Sequence, residues 1–131
     1  MTIQEALLAY LKTHVDCAAL IALVATRIYD QYWPTDREPT FPLITVSQVS
    51  GGRHHNIDVA YPRFQFSCWA ETKSMARAVA DTLRNVLQRY KGVMGGIEIP
   101  QIVYENDLDF YDAESKLYHI PVDFKIIYRG E

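Results

Sequence analysis

The clearest hydrophobic pattern in the chain lies near its C-terminal end. Apolar side chains occupy every second position there, at Tyr118, Ile120, Val122, Phe124, Ile126 and Tyr128. Because successive side chains of a strand point to opposite faces, this alternation predicts a half-buried β-strand. Pro121 lacks an N–H donor, so at that position the strand either lies at a sheet edge or directs its nitrogen out of the hydrogen-bond ladder.

A second alternating segment spans residues 63–69. Phe64, Phe66 and Cys68 share one side of this predicted strand, and Trp69 falls on the other, polar side. A large ring at that position indicates that the polar face is covered near the strand end. Further strands are predicted at residues 27–29, 42–49 and 101–111, and Gly-Gly at 95–96 predicts a hairpin between 93–94 and 97–99.

Two helices are predicted before the first strand. Thr2 and Glu5 have the spacing of a capping box, ahead of apolar residues at helical intervals. Asp16 is the predicted N-cap of the second helix, with Val15 and Leu20 in the positions of a hydrophobic staple.

The strongest helical pattern follows the strand at 63–69. It is predicted to begin near Thr72 as N-cap and to end before Gly92, a predicted C′ residue. Its apolar stripe consists of Met75, Val79, Leu83, Val86, Leu87 and Tyr90. The order of elements predicts an α+β fold: a mainly antiparallel β-sheet with two to three α-helices packed on one face, forming a single domain over residues 1–131.

Composition narrows the classes of function. The net charge of −3, without a run of basic residues, argues against general binding of nucleic acid. Cys17 and Cys68 lie in different patterns and are predicted to be buried free thiols. We find no signal peptide and no segment long enough to span a bilayer, which predicts a protein made in the cytoplasm that does not bind membranes.

Few residues have the spacing of a catalytic or metal site. The adjacent His54 and His55 point in opposite directions on an extended chain, so a solvated pair is the expected state. Asp107 and Asp109, with Glu105, could share a strand face as calcium ligands, but the glycine and the bidentate glutamate of a calcium loop are missing. No hydrolase, zinc-protease or phosphate-loop motif occurs. We therefore expect no enzyme, no catalytic residues, no cofactor and no metal.

The chain resembles the phage tail completion family, whose members are also described as tail terminators or head–tail joining proteins. The similarity rests on the order of short segments over roughly residues 3–129. They are Leu20, Leu23-Val24 and Arg27-Ile28-Tyr29; Arg63-Phe64-Gln65-Phe66-Ser67-Cys68-Trp69-Ala70-Glu71-Thr72 with Ala76, Ala80-Asp81 and Leu83-Arg84; Gly96-Ile97; Asn106-Asp107, Asp109 and Tyr111-Asp112; and Val122-Asp123-Phe124 with Tyr128.

The resemblance implies a structural virion protein, made in the cytoplasm of a bacterial host and located in the tail or neck. It would form a ring that caps the head-proximal end of the tail tube. The ring is expected to be a hexamer, although an isolated subunit could be monomeric. Its partners would be other copies of itself, the major tail tube protein and the head connector or stopper protein. DNA would pass through the lumen without specific binding, which suits an acidic chain.

Two polar loops, Trp33–Pro39 and Gly51–Val59, are the predicted interfaces of such a ring, with plain exposure to solvent as the alternative. Their candidate contact residues are Trp33, Asp36, Arg37, Arg53, His54 and His55. Two other functions stay open at this point. One is a neck protein that binds the connector without capping the tube, and the other is a small-molecule-binding α+β domain that uses the tyrosine-rich sheet.

Overall fold

The computed structural model describes residues 2–34, 38–51, 59–88 and 90–129. The helices are α1 (Ile3–Thr13), a short 3-10 helix (Val15–Cys17), α2 (Ala18–Val24) and α3 (Lys73–Gln88). The strands are β1 (Ile28–Asp30), β2 (Leu43–Ser50), β3 (Arg63–Ala70), β4 (Gly92–Met94), β5 (Ile97–Asp107), β6 (Phe110–Asp112) and β7 (Leu117–Arg129).

The described strands form one sheet in the order β1-β2-β3-β7-β5-β4, with β6 also paired to β7. Only β1 and β2 run parallel, and the other pairs are antiparallel. The predicted α+β class with a mainly antiparallel sheet is confirmed. The hairpin at residues 95–96 joins β4 to β5 as its two glycines predict.

Strand β7 lies in the middle of the sheet, and Pro121 is accommodated by a break in its neighbour. On one side, residues Tyr118–Lys125 of β7 pair with β3. On the other side, Val122–Arg129 pair with β5 and Leu117–His119 pair with β6, so Pro121 lies between the two neighbours. The carbonyl of Pro121 accepts a bond from the Leu108 N–H, in the connection between β5 and β6. Since N and C=O of one strand residue point the same way, the nitrogen of Pro121 also faces this break. The break makes this position a local edge of the sheet, where a residue without an N–H leaves no acceptor unpaired.

One continuous core joins the helices to one face of the sheet. It contains Phe64, Phe66 and Cys68 of β3, alternate residues of β7, and buried residues of all three α-helices. The phenyl rings of Phe66 and Phe124 meet edge to face at 5.6 Å between centroids. Fully buried aromatic rings of this kind dominate core stability, so this contact anchors the two central strands.

The first helix begins as predicted. The Thr2 side chain accepts a bond from the Glu5 N–H at 3.1 Å, and the Glu5 carboxylate accepts one from the Thr2 N–H at 3.1 Å. The predicted start of the second helix is wrong. A 3-10 turn precedes α2, the imidazole of His14 accepts from the Asp16 N–H, and Val15 is 79% exposed, so it cannot form a staple.

Helix α3 begins as predicted, with the Thr72 hydroxyl accepting from the Met75 N–H at 3.2 Å. Its buried side chains are Ala76, Val79, Ala80, Leu83 and Leu87, whereas Met75 is exposed. The small side chains of Ala76 and Ala80 let this face of the helix pack closely on the sheet. Met75 lies beside this face and is therefore exposed. The helix ends at Gln88, so Gly92 is not its C′ residue but the first residue of β4, at φ 153°.

No single helix among the described residues is long and apolar enough to cross a membrane. Helix α1 and the following segment Val15–Val24 meet the length and composition criterion only together, as a pair bent by 68°.

Candidate interaction surface

The side chains with functional potential lie on the sheet face opposite the helices, which we call the outer face. Strand register sets them in rows across the sheet. Trp69 of β3 lies between Leu43 of β2 and His119 of β7, and Phe110 of β6 follows His119. Because these residues are neighbours on adjacent strands, their side chains contact one another on the outer face.

A continuous row of aromatic rings crosses the outer face, which we call the aromatic strip: Phe110, His119, Trp69, Trp33 and Phe41. The imidazole of His119 stacks on the Trp69 indole, with 4.0 Å between centroids and 5° between planes. Trp33 meets Trp69 edge to face at 5.2 Å and Phe41 at 5.8 Å, and Phe110 lies 6.0 Å from His119. Such offset and edge-to-face contacts stabilise each ring beyond the area it buries.

Two ring nitrogens, those of Trp69 and His119, determine the chemistry of the aromatic strip. The Trp69 indole N–H donates to the Thr45 hydroxyl at 3.2 Å, so the ring orientation is fixed. Nε2 of His119 is buried and has no hydrogen-bond partner within the described ranges. Burial lowers the pKa of His119 below its usual range, although the Asp112 carboxylate acts in the opposite direction. The ring is therefore neutral at neutral pH and behaves as an apolar member of the strip.

A shallow cleft of about 330 Å³ opens beside the strip, lined by Gln31, Tyr32, Trp33, Thr45 and Trp69. Its polar groups are the Gln31 amide, the Tyr32 phenol, the Trp33 indole N–H, and the Thr45 hydroxyl, which already accepts a bond from the Trp69 indole N–H. No lining residue is acidic or basic. The cleft can therefore accept an apolar or aromatic side chain, but it lacks the convergent charged groups of a catalytic site.

Exposed apolar side chains continue the surface past the strip. Leu108 and Phe110 are 52% and 51% exposed at the corner between β5 and β6, whereas Tyr111, 53% exposed, lies on the opposite face with its ring 4.8 Å from that of Tyr118. Large apolar groups clustered in this way on a surface mark places where proteins contact one another.

The acidic segment does not form the calcium site considered above. The guanidinium of Arg77 on α3 bonds to Asp109 and lies 3.4 Å from Asp107 and 3.6 Å from Asp81. Glu105 points elsewhere, 3.7 Å from both Arg63 and Lys125. A bulge between Tyr104 and Asn106 separates these carboxylates. In the part of the chain that the structure describes, no three His, Cys, Asp or Glu residues are grouped to hold a metal ion.

Both thiols are buried and unpaired, as predicted. Burial raises the pKa of Cys68, and it raises the pKa of Cys17. Burial also raises the pKa of Tyr10, which contacts Cys17, to about 12. Raised thiol pKa values keep the reactive thiolate scarce, so neither cysteine is an activated nucleophile.

Of the interface residues predicted from sequence, Trp33 lies within the described ranges, and it is a member of the aromatic strip. Asp36, Arg37, Arg53, His54 and His55 lie outside them. Sequence reasoning missed His119 and Phe110. The residue that indicated the strip was Trp69, because a large ring on the polar side of β3 is expected to be packed against other side chains.

Comparison with known proteins identifies relatives of the whole fold. Residues 5–129 match the family model described as tail completion protein gp17. A chain from a structure described as the virion of a native gene transfer agent (GTA) particle has the same fold, with a TM-score of 0.77. It is 20% identical, and the match covers 98% of each chain. No curated protein sequence gives a significant match.

Proposed function

The chain belongs to the tail completion protein gp17 family, and from this premise we propose that it forms a ring that caps the head-proximal end of a phage-type tail tube. The observation that carries the proposal is the family match, which extends over residues 5–129 and so includes every strand and nearly all of α1. The family is one of structural virion proteins, which supports a role in assembly and not in catalysis.

The outer face supports a role in protein contacts. A ring subunit needs apolar surface that is accessible before assembly and covered afterwards. The aromatic strip and the exposed side chains of Leu108 and Phe110 provide such a surface. In this proposal the ring stops the growth of the tube and presents its other side to the head connector, in the tail or neck of a virion assembled in bacterial cytoplasm.

The GTA virion chain adds support at the level of the fold. Its own place is in a virion, and it shares the fold over 98% of its length. A subunit of this shape therefore suits assembly into a particle of the same kind, with DNA passing through the lumen without specific contacts.

The oligomeric state tests the ring. Native mass spectrometry over a range of concentrations, with and without the major tail tube protein, is expected to show one closed oligomer with a hexamer as the expected size. A strict monomer in all mixtures would refute the ring. A ring that binds the connector protein but leaves tube growth unchanged would instead favour the neck protein.

A further inference from the structure

Strand β5 is longer than its outer neighbour, so part of it forms an edge of the sheet. β4 pairs only with Ile97–Ile99 of β5, whereas β7 pairs with nearly the whole strand. Beyond Ile99 no described strand lies on the outer side of β5. The regular stretch between the two bulges of β5, Gln101–Tyr104, is what we call the open edge.

The register shows which main-chain groups of the open edge are unpaired. The N–H of Ile126 in β7 donates to a carbonyl just before β3, so this residue faces β3. Because successive residues of a strand face opposite neighbours, Lys125 faces β5, and its partner Val103 faces β7 in turn. Ile102 and Tyr104 therefore direct their N–H and C=O groups away from the sheet. Within the described ranges these four groups have no hydrogen-bond partner.

The two outermost strands of the sheet are closed in part by local hydrogen bonds. In β1 the Ile28 N–H and the Asp30 C=O, which face away from β2, bond to neighbouring residues of the chain at 2.8 Å each. In β4 the Val93 carbonyl accepts a bond from the Tyr90 phenol at 2.9 Å. Such closure, like charged side chains, protects an edge from pairing with another chain.

The open edge has neither form of protection. None of its four residues is charged, and three of them, Ile102, Val103 and Tyr104, are of types that favour strands. The bulge at each end limits its length to four residues, so the open edge suits a short added strand.

A cation lies beside the open edge. The guanidinium of Arg84 on α3 lies over the Tyr104 ring, 4.3 Å from its centroid. Its Nε donates to the Gln88 side chain at 3.2 Å, and no carboxylate in the described part of the chain forms an ion pair with it. In a strand added at the open edge, the residue opposite Tyr104 would have its Cβ about 5 Å from the Tyr104 Cβ. A carboxylate at that position would reach Arg84.

We propose that the open edge binds an extended acidic segment of another virion protein, which adds one strand to the sheet. The main chain of that segment bonds to Ile102 and Tyr104, and a carboxylate on it pairs with Arg84. A second copy of this chain fits less well. Pairing of two open edges would place only uncharged side chains against Arg84, and it would produce a two-fold dimer and not a ring. This inference rests on the proposed function, because it concerns the proteins that the ring joins.

Hydrogen–deuterium exchange, resolved to single residues by fragmentation, tests the added strand. The amides of Ile102 and Tyr104 are expected to exchange rapidly in the chain alone. They are expected to exchange at least about tenfold more slowly after addition of the tail tube protein or of the head connector protein. The Val103 amide, which faces β7, is the internal reference and should exchange slowly throughout. Rapid exchange of both outward amides in both complexes, or slow exchange already in rings of this chain alone, would refute the proposal.

A pair of variants at Tyr104 tests the main-chain bond. Tyr104→Pro removes the outward N–H without removing a bond to β7, and Tyr104→Ala controls for loss of the ring. The proline variant is expected to bind the protein that protects the amides about tenfold more weakly than the alanine variant does, because one main-chain hydrogen bond is lost. Circular dichroism and the melting temperature verify that both variants fold. Equal binding by the two variants would count against strand addition.

Charge substitutions test the pairing with Arg84. At low salt Arg84→Glu is expected to weaken binding at least about tenfold, because a carboxylate then faces a carboxylate. Arg84→Lys keeps the charge and should bind within about threefold of the natural chain. Lys73→Glu makes the same change of charge at the exposed start of α3, and it should also bind within about threefold. Equal weakening by Arg84→Glu and Lys73→Glu would refute a specific pairing.

The outcomes separate the added strand from the proposed function. If the chain caps tubes while both outward amides stay rapid, the added strand is refuted and the capping ring stands. If the connector protein slows both amides but tubes are not capped, the added strand is supported and the capping role is refuted. A chain that binds neither protein refutes both.

Discussion

Removing the ring of Trp69 tests whether the aromatic strip is a packed, ordered surface. In Trp69→Ala the chain loses the stack on His119, the edge-to-face contact with Trp33 and the hydrogen bond to Thr45. A fully buried tryptophan costs about 3–5 kcal/mol when truncated to alanine. Trp69 is only partly buried but makes two ring contacts, so we expect the free energy of unfolding to fall by about 2–4 kcal/mol.

Urea denaturation measures this loss, and thermal unfolding should show a melting temperature lower by about 8–16 °C. Trp69→Phe keeps a ring on His119 but leaves the nearly buried Thr45 hydroxyl without its donor, at a cost of about 1 kcal/mol. Tyr32→Ala is the matched control, since that ring lines the same cleft but is 79% exposed and should change stability by less than about 0.5 kcal/mol. A Trp69→Ala protein as stable as the Tyr32→Ala control would show that the strip does not pack as described.

Three further perturbations probe the sites that the fold positions. In the native chain burial lowers the pKa of His119 below 6.5, so as the pH falls the unfolded chain takes up the proton at a higher pH than the native chain does. The free energy of unfolding should therefore fall as the pH drops below about 6.5. His119→Gln should flatten this dependence in urea titrations; an unchanged slope would contradict it. Cys17 and Cys68 should react with a thiol reagent only after denaturation, and rapid labelling of the native protein would refute their burial. Thr2→Ala should cost about 1 kcal/mol of stability through loss of the capping box, whereas no change in urea midpoint would argue against that cap.

Local patterns were sufficient to predict much of the fold. The alternation in β3 and β7 and the caps at Thr2 and Thr72 depend on neighbours within a few residues, and all are confirmed. The error at the second helix occurred because two local patterns competed. Val15 fits a staple in sequence, but an inserted 3-10 turn directs it to solvent.

The sequence indicated that Trp69 is covered, but its partners His119 and Phe110 could not be predicted because they are distant from it in sequence. His119 meets Trp69 only because β3 and β7 pair in one particular register, and Phe110 joins them only because β5 ends at Asp107 and β6 begins after the break opposite Pro121. Hydrophobic periodicity predicts that each strand exists and excludes a slip of one residue, which would turn the buried face outward, but it does not distinguish registers that differ by two residues.

Tube length in a polymerisation assay tests the capping role most directly. The major tail tube protein is polymerised with and without this chain, and tube lengths are measured by negative-stain electron microscopy. A capping ring is expected to shorten the tubes as its concentration rises and to appear as one distinct layer at a single end. Tubes of unchanged length, with no added layer at either end, would contradict the proposed function.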